Sequence, residues 1–95
     1  MEKCPLWAGK HHVRSTLYRM RKGTQLPSHY HAYWVQVFVI SGKMQVEAVG
    51  SEAHTMAAGD YYFVEPGETH VETALEETQL LVVAQEGREG VRQQS

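Results

Sequence analysis

Hydrophobic and polar residues alternate along this chain with a period of two. Residues 11–20 and 43–48 show the alternation most clearly, since Met44, Val46 and Ala48 are interleaved with Lys43, Gln45 and Glu47. Further short segments are rich in β-branched and aromatic residues, and no amphipathic run of helical length interrupts them. The pattern predicts about eight short strands joined by tight turns, as in an antiparallel sandwich or barrel. The predicted turns lie at residues 23, 41–43, 49–52, 57–60 and 65–68.

Length and composition indicate one small globular domain. The chain has 95 residues, of which 42% are hydrophobic and 21% are charged. These proportions are ordinary for a folded protein and argue against general disorder. We therefore expect a single domain over residues 1–95, with a barrel from about residue 12 to residue 85 and a polar tail over residues 86–95.

The charge pattern excludes two classes of partner. The formal net charge is −2, and Lys and Arg are not clustered, so neither nucleic acid nor an anionic membrane is an expected partner. Cys4 is the only cysteine and cannot form an intrachain disulfide, and the longest apolar run is too short to span a bilayer. We predict a cytoplasmic protein.

Two histidines near the start of a predicted strand are the first candidates for chemistry. His29 and His31 are separated by one residue, so in a strand both imidazoles point to the same face and suit neighbouring positions on one metal ion. Taken alone, this spacing is equally compatible with a ligand pair and with a solvated strand end.

The surrounding residues resemble the two sequence motifs of the cupin superfamily, G-x5-H-x-H-x3/4-E-x6-G and G-x5-P-x-G-x2-H-x3-N. The resemblance covers residues 23–74 and implies an all-β fold, a single double-stranded β-helix or jelly-roll barrel. It also implies that three histidines are ligands of one divalent metal ion in the barrel interior. The residues that match are Gly23, His29, His31 and Gly42 in the first motif, and Gly59, Gly67 and His70 in the second, with Asp60 and Pro66 at places that are often occupied.

The chain departs from the first motif at its glutamate, which is usually a fourth ligand. Val35 takes this place when the spacing is counted back from Gly42, and Gln36 takes it when the longer gap after His31 is used. We predict that Gln36 faces inward and is a metal ligand, because a glutamine in an otherwise apolar strand needs a polar reason to be buried. The alternative is that Val35 lines the interior. The second motif departs at its terminal Asn, which is replaced by Ala74.

Three imidazoles and an amide leave the 2+ charge of the ion uncompensated. The site would then be a strong Lewis acid that attracts anionic ligands, and imidazole ligands are compatible with Fe, Ni, Zn or Mn. Glu72 follows His70 by two residues and shares its face in a regular strand, so Glu72 is a candidate general base. A solvent-facing glutamate near a strand end is an equally good interpretation.

The resemblance favours a small metal-dependent enzyme, a dioxygenase or an isomerase or cyclase, that acts on a small anionic carbonyl, enol or sugar-acid substrate. The alternatives are a ligand-binding or sensor module without catalysis and a barrel with a decayed site. The predicted partners are a small-molecule ligand and a second copy of the chain. We expect a homodimer, formed by sheet packing or by exchange of the N-terminal strand, because the strands are rich in aromatic residues.

Overall fold

The alternating segments pair into two antiparallel β-sheets. The computed structural model describes residues 1–8, 11–29, 33–48 and 50–85, apart from the side chains of residues 27–29. The predicted tail, residues 86–95, lies outside these ranges. The strands found within them are β1 Glu2–Trp7, β2 Val13–Met20, β3 Gln25–His29, β4 Val35–Ser41, β5 Lys43–Ala48, β6 Ala53–Ala57, β7 Tyr61–Val64, β8 His70–Ala74 and β9 Thr78–Gln85.

The two sheets have five and four strands, in the orders β1-β2-β9-β4-β7 and β3-β8-β5-β6. Neighbouring strands are often distant in sequence, as in a jelly roll, and all pairs are antiparallel. The alternation predicted from the sequence is confirmed, because one face of each sheet is buried between them. The core consists of Met20, Val35, Val37, Val39, Met44, Val64, Ala74, Leu80 and Ala84.

The structure explains why two of the motif positions are glycine. In the turn of residues 65–68, the Glu68 amide donates to the Glu65 carbonyl at 3.1 Å, and Gly67 has a φ of 81°. This is the type II turn expected from Pro followed by Gly. Gly42 has a φ of 90°, and a Cβ there would overlap the Glu77 carbonyl oxygen and lie 2.7 Å from the Thr78 Cα. Only glycine fits that position without movement of the backbone.

β1 lies ahead of the predicted start of the barrel at about residue 12 and was not expected as a strand. It pairs with β2 along one edge, and all six of its residues are exposed. No helix in the described part of the chain is long and apolar enough to cross a membrane.

Candidate functional site

Strand β8 carries two ionisable side chains into the space between the sheets. His70, Glu72 and Ala74 are buried, while Val71 and Thr73 between them are half-buried on the other face. The turn at residues 65–68 ends just before His70 and therefore sets where this strand begins. The structure thus confirms that Glu72 shares the inward face of His70 and is not a solvent-facing residue.

Glu72 links two other polar side chains in this interior. One oxygen, Oε1, lies 3.4 Å from His70 Nε2, and the other, Oε2, accepts a hydrogen bond from the Tyr62 hydroxyl. Tyr62 comes from β7 in the opposite sheet, so the contact joins the two sheets through polar groups. The sequence pattern gave no sign of this role for Tyr62.

The pKa directions fit this arrangement. Burial raises the pKa of Tyr62 far above its ordinary value, and the charge of Glu72 and its hydrogen bond raise it further. Tyr62 therefore stays protonated and acts as a donor. Burial by itself lowers the pKa of His70, but the hydrogen bond and charge of Glu72, together with Glu68, outweigh that effect and raise it above 6.5.

The antiparallel pairing of β3 with β8 brings the two sequence motifs together. His29, the last residue of β3, is the direct antiparallel partner of His70 on β8. Opposite residues in such a ladder have Cα atoms roughly 4.5–5.5 Å apart. The His29 side chain and the whole of His31 lie outside the described residues, so their part in a metal site stays a prediction. Among the residues that the structure describes, no three His, Cys, Asp or Glu side chains form a group that could hold a metal ion.

The inward orientation predicted for Gln36 is wrong. In β4 the side chains of Val35, Val37 and Val39 are buried in the core, and Gln36 points to the opposite face, where it is half-buried. A one-residue shift in the assumed register reverses every side chain of a strand, and counting back from Gly42 gives the register that the structure has. Gln36 is thus not placed to contact a metal ion beside His70.

A cavity of about 140 Å³ opens beside His70 and Glu72. Apolar side chains form most of its wall, and Arg14 and Tyr18 of β2 add a cation and a hydroxyl. Sequence reasoning gave Arg14 no role, although its strand period places it on the same face as the buried Thr16 and Met20. The lining residues are Met1, Arg14, Tyr18, Leu26, Val35, Val37, His70, Glu72, Leu80, Val82 and Ala84.

The donor set can be compared with the metal ion that the resemblance implies. An imidazole and a carboxylate are both common ligands of divalent transition metals, and both are buried here next to a cavity. Because His29 pairs with His70 in the ladder, the backbone allows a second imidazole nearby. The side chains of His70 and Glu72 are therefore chemically suited to a divalent metal ion, and His29 and His31 would be needed to complete its set of ligands.

This chain forms a jelly roll of two antiparallel sheets with a cluster of ionisable side chains between them. It is therefore a small β-barrel protein with an interior site. Residues 16–84 match the Cupin domain family, and the chain belongs to that family. No functionally curated protein matches the chain.

Solved structures share this fold at low sequence identity. An RmlC-like cupin from Shewanella frigidimarina superposes with a TM-score of 0.81 at 23% identity, over 92% of this chain and 77% of that one. KdgF from Halomonas sp. gives 0.81 at 19% identity, over 92% and 79%. A salicylate 1,2-dioxygenase mutant from Pseudoaminobacter salicylatoxidans gives 0.72 at 20% identity, over 77% of this chain but 21% of that one. At these identities the likeness shows the fold alone.

Proposed function

We propose that this protein is a metal-dependent cupin enzyme that moves a proton on a small anionic carbonyl or enol compound bound in the interior cavity. The observation that supports it is that the buried Glu72 contacts both the buried His70 and the half-buried Tyr62 beside a cavity that Arg14 helps to line. Buried carboxylates are costly unless they are paired, and such groups are concentrated at functional sites. The cytoplasmic location remains a prediction from the sequence.

The cavity limits the size and charge of the substrate. A volume of about 140 Å³ accommodates an organic acid of roughly five to eight non-hydrogen atoms. Within the described ranges no carboxylate lies at salt-bridge distance from Arg14. Its guanidinium is therefore available to bind a substrate carboxylate in a bidentate manner. The valine and leucine side chains of the wall favour a compact, mostly apolar body for the rest of the molecule.

Glu72 is the proposed general base. Its carboxylate takes a proton from the carbon next to the substrate carbonyl, and the same proton, or one from solvent, returns to the product. Tyr62 holds Oε2 by its hydrogen bond and so orients Oε1 toward His70 and the cavity. A divalent ion, which His29, His31 and His70 would hold, supplies Lewis-acid polarisation of the substrate oxygen when bound.

Hydrogen exchange at carbon tests this proposal directly. Protein is purified without exposure to affinity-tag metal, its metal is identified by elemental analysis, and loss of the methyl proton signal of pyruvate is followed by NMR in D2O. We expect protein-dependent exchange that Glu72→Gln lowers by about 100-fold or more. Arg14→Gln should raise KM with little change in kcat, because it removes binding that is uniform along the reaction.

Arg19→Gln is the matched control, since Arg19 lies on the same strand but is exposed and paired with Glu2. Equal exchange by the parent and by Glu72→Gln would contradict the assignment of the base. Oxygen consumption by the iron-loaded protein, with no exchange at carbon, would favour the dioxygenase branch of the family instead.

A further inference from the structure

The interior cavity opens toward the edge of the barrel that β1, β2 and β3 form. Leu80 on β9 and Val35 on β4 line its far end and are almost fully buried. Tyr18 on β2 and Leu26 on β3 are half-buried, and Met1, just before β1, is 56% exposed. The mouth of the cavity therefore lies at this edge, and a bound molecule keeps one end close to β1.

Lys3 lies beside the mouth, on the same side of β1 as Met1. The side chain of Glu2 pairs with that of Arg19, its direct partner in the ladder, so both point to one face of the sheet. Successive side chains of a strand point to opposite faces, and Met1 and Lys3 therefore point to the other one. Met1 does line the cavity, as does Tyr18, the direct partner of Lys3. Lys3 and Tyr18 thus share the side of the sheet that faces the mouth.

The two strands at the mouth have a positive charge, although the chain as a whole does not. They carry the cations Lys3, Arg14 and Arg19 against one carboxylate, Glu2, whereas the formal net charge of the chain is −2. Arg19 and Glu2 neutralise each other in a salt bridge. Among the residues that the structure describes, no carboxylate lies at salt-bridge distance from Lys3 or Arg14, and the Tyr18 hydroxyl has no hydrogen-bond partner. Two cations and a hydroxyl are thus available to an anionic ligand.

Building on the function proposed above, on which this assignment rests, we propose that the substrate is a dicarboxylate. Its inner carboxylate binds Arg14, and its outer carboxylate binds Tyr18 and Lys3 at the mouth, which we call the outer carboxylate site. Arg14 and Tyr18 lie on one face of β2 with Cα atoms about 13 Å apart along the strand. Because both side chains are long, they can meet the two ends of one short molecule. A guanidinium, an ammonium and a phenol hydroxyl all donate hydrogen bonds to carboxylates.

The volume of the cavity fits a short dicarboxylate whose outer end stays at the mouth. About 140 Å³ holds roughly five to eight non-hydrogen atoms. A five-carbon 2-oxo dicarboxylate has about ten, and about three of them belong to the outer carboxylate, so the remaining seven or so fit inside.

An acid of equal length that ends in a methyl group makes no polar contact at the outer carboxylate site. Its methyl group would lie beside the Lys3 ammonium and the Tyr18 hydroxyl and would displace water from both, which costs free energy. The mouth therefore selects for charge at the outer end of the ligand, whereas Arg14 binds the inner carboxylate of either acid.

The test compares glutarate with pentanoate, two five-carbon acids that differ in a carboxylate against a methyl group at one end. Binding to the protein as purified is followed by titration of its NMR chemical shifts. We expect the dissociation constant of glutarate to be about tenfold lower than that of pentanoate at an ionic strength of about 10 mM. The ratio should fall to about threefold or less at about 1 M, because salt screens exposed charges.

Four variants assign this preference to named side chains. Lys3→Gln and Tyr18→Phe should each raise the dissociation constant of glutarate about two- to fivefold and leave that of pentanoate within about twofold. Lys3→Arg keeps the charge and should keep the preference. Lys43→Gln is the matched control, since it removes the same charge from an exposed lysine of the other sheet, and it should change neither constant. All four should keep the parent far-UV spectrum, because Tyr18→Phe is nearly isosteric and both lysines are exposed.

Equal affinities for the two acids, or tighter binding of pentanoate, would overturn the outer carboxylate site. A preference for glutarate that Lys3→Gln and Tyr18→Phe both leave unchanged would overturn it too, as would equal effects of Lys3→Gln and Lys43→Gln.

The titrations involve no reaction, so they separate this assignment from the proposed chemistry. Exchange of the protons next to the carbonyl of 2-oxoglutarate and of 2-oxopentanoate is followed by NMR in D2O. Absence of exchange with both, together with a preference for glutarate that depends on Lys3, would contradict the proposed reaction and support the outer carboxylate site. Equal exchange of both acids, with equal affinities for glutarate and pentanoate, would support the reaction and overturn the site.

Discussion

The hydrogen bond between Tyr62 and Glu72 gives the sharpest test of the interior site. Tyr62→Phe removes one hydroxyl and leaves a buried carboxylate oxygen without its donor. Hydrogen bonds to charged groups contribute about 1.5–3 kcal/mol, so the free energy of unfolding should fall by that amount. In a domain of this size each kcal/mol shifts Tm by roughly 4–8 °C, so we expect a decrease of about 6–24 °C.

The measurement is urea unfolding of protein treated with a chelator, so that metal binding does not contribute. Tyr61→Phe is the matched control, because Tyr61 is the preceding residue in β7 and its side chain is exposed. It should change the free energy of unfolding by less than about 0.5 kcal/mol. Because Tyr62 is hydrogen-bonded to the buried Glu72 and Tyr61 is exposed, the two substitutions should change the free energy of unfolding by different amounts.

A double-mutant cycle with Glu72→Leu isolates the interaction. Once the carboxylate is absent, loss of the Tyr62 hydroxyl no longer removes a hydrogen bond to a charged group, so the two substitutions should not be additive. We expect a coupling of about 1.5–3 kcal/mol between the two positions. Additive effects, or equal effects of Tyr62→Phe and Tyr61→Phe, would refute the view that this hydrogen bond holds the carboxylate in place.

Three further predictions concern the turn at Gly42 and the metal. In urea unfolding, Gly42→Ala should lower the free energy of unfolding by about 2–4 kcal/mol and Gly50→Ala by about 1–2 kcal/mol. Both glycines have a positive φ, but of the two only Gly42 lacks room for a Cβ. Equal losses of stability in the two variants would contradict this. His29→Ala, His31→Ala and His70→Ala should each lose most of the metal in elemental analysis, whereas His54→Ala and Gln36→Leu should keep it; full occupancy in His70→Ala would contradict the ligand set. Because Glu72 raises the pKa of His70, protons should begin to displace the metal from His70 at a pH above 6.5 as the pH is lowered. Glu72→Gln should therefore shift the pH at which metal is released to a lower value.

The sequence predicts the strands because their period of two follows directly from burial of one sheet face. It does not predict which face is buried when both contain apolar side chains. In β2, Val13 and Leu17 alternate with Arg14, Thr16 and Tyr18, and the structure turns the second set inward. Arg14 was overlooked for that reason, since hydropathy alone favours the first set. Likewise, nothing local distinguishes Tyr61, which is exposed, from Tyr62, which is linked to Glu72.

The candidate site was predictable where turn chemistry fixed the register. Pro66 and Gly67 define a type II turn, and the turn sets the start of β8. The resemblance implied an inward His70, while the sequence left Glu72 equally compatible with an inward and a solvent-facing position, and the structure buries both. No Pro-Gly pair precedes Gln36 in the sequence to fix the register of β4 in the same way. The polarity of Gln36 argued for burial beside the metal, but the structure leaves its amide half-buried on the outer face of the five-stranded sheet.

The position of the interior carboxylate explains how the site can differ from the pattern of its family motif. Val35 stands where the motif has glutamate, and Glu72 on β8 returns a carboxylate to the interior from the other sheet. A carboxylate tied to Tyr62 and His70 is oriented by hydrogen bonds and not by a metal ion alone. In the proposed mechanism this frees it to accept and return a proton, while Arg14 meets the substrate charge. The apolar side chain of Val35 then serves as part of the cavity wall, where a second carboxylate would repel an anionic substrate.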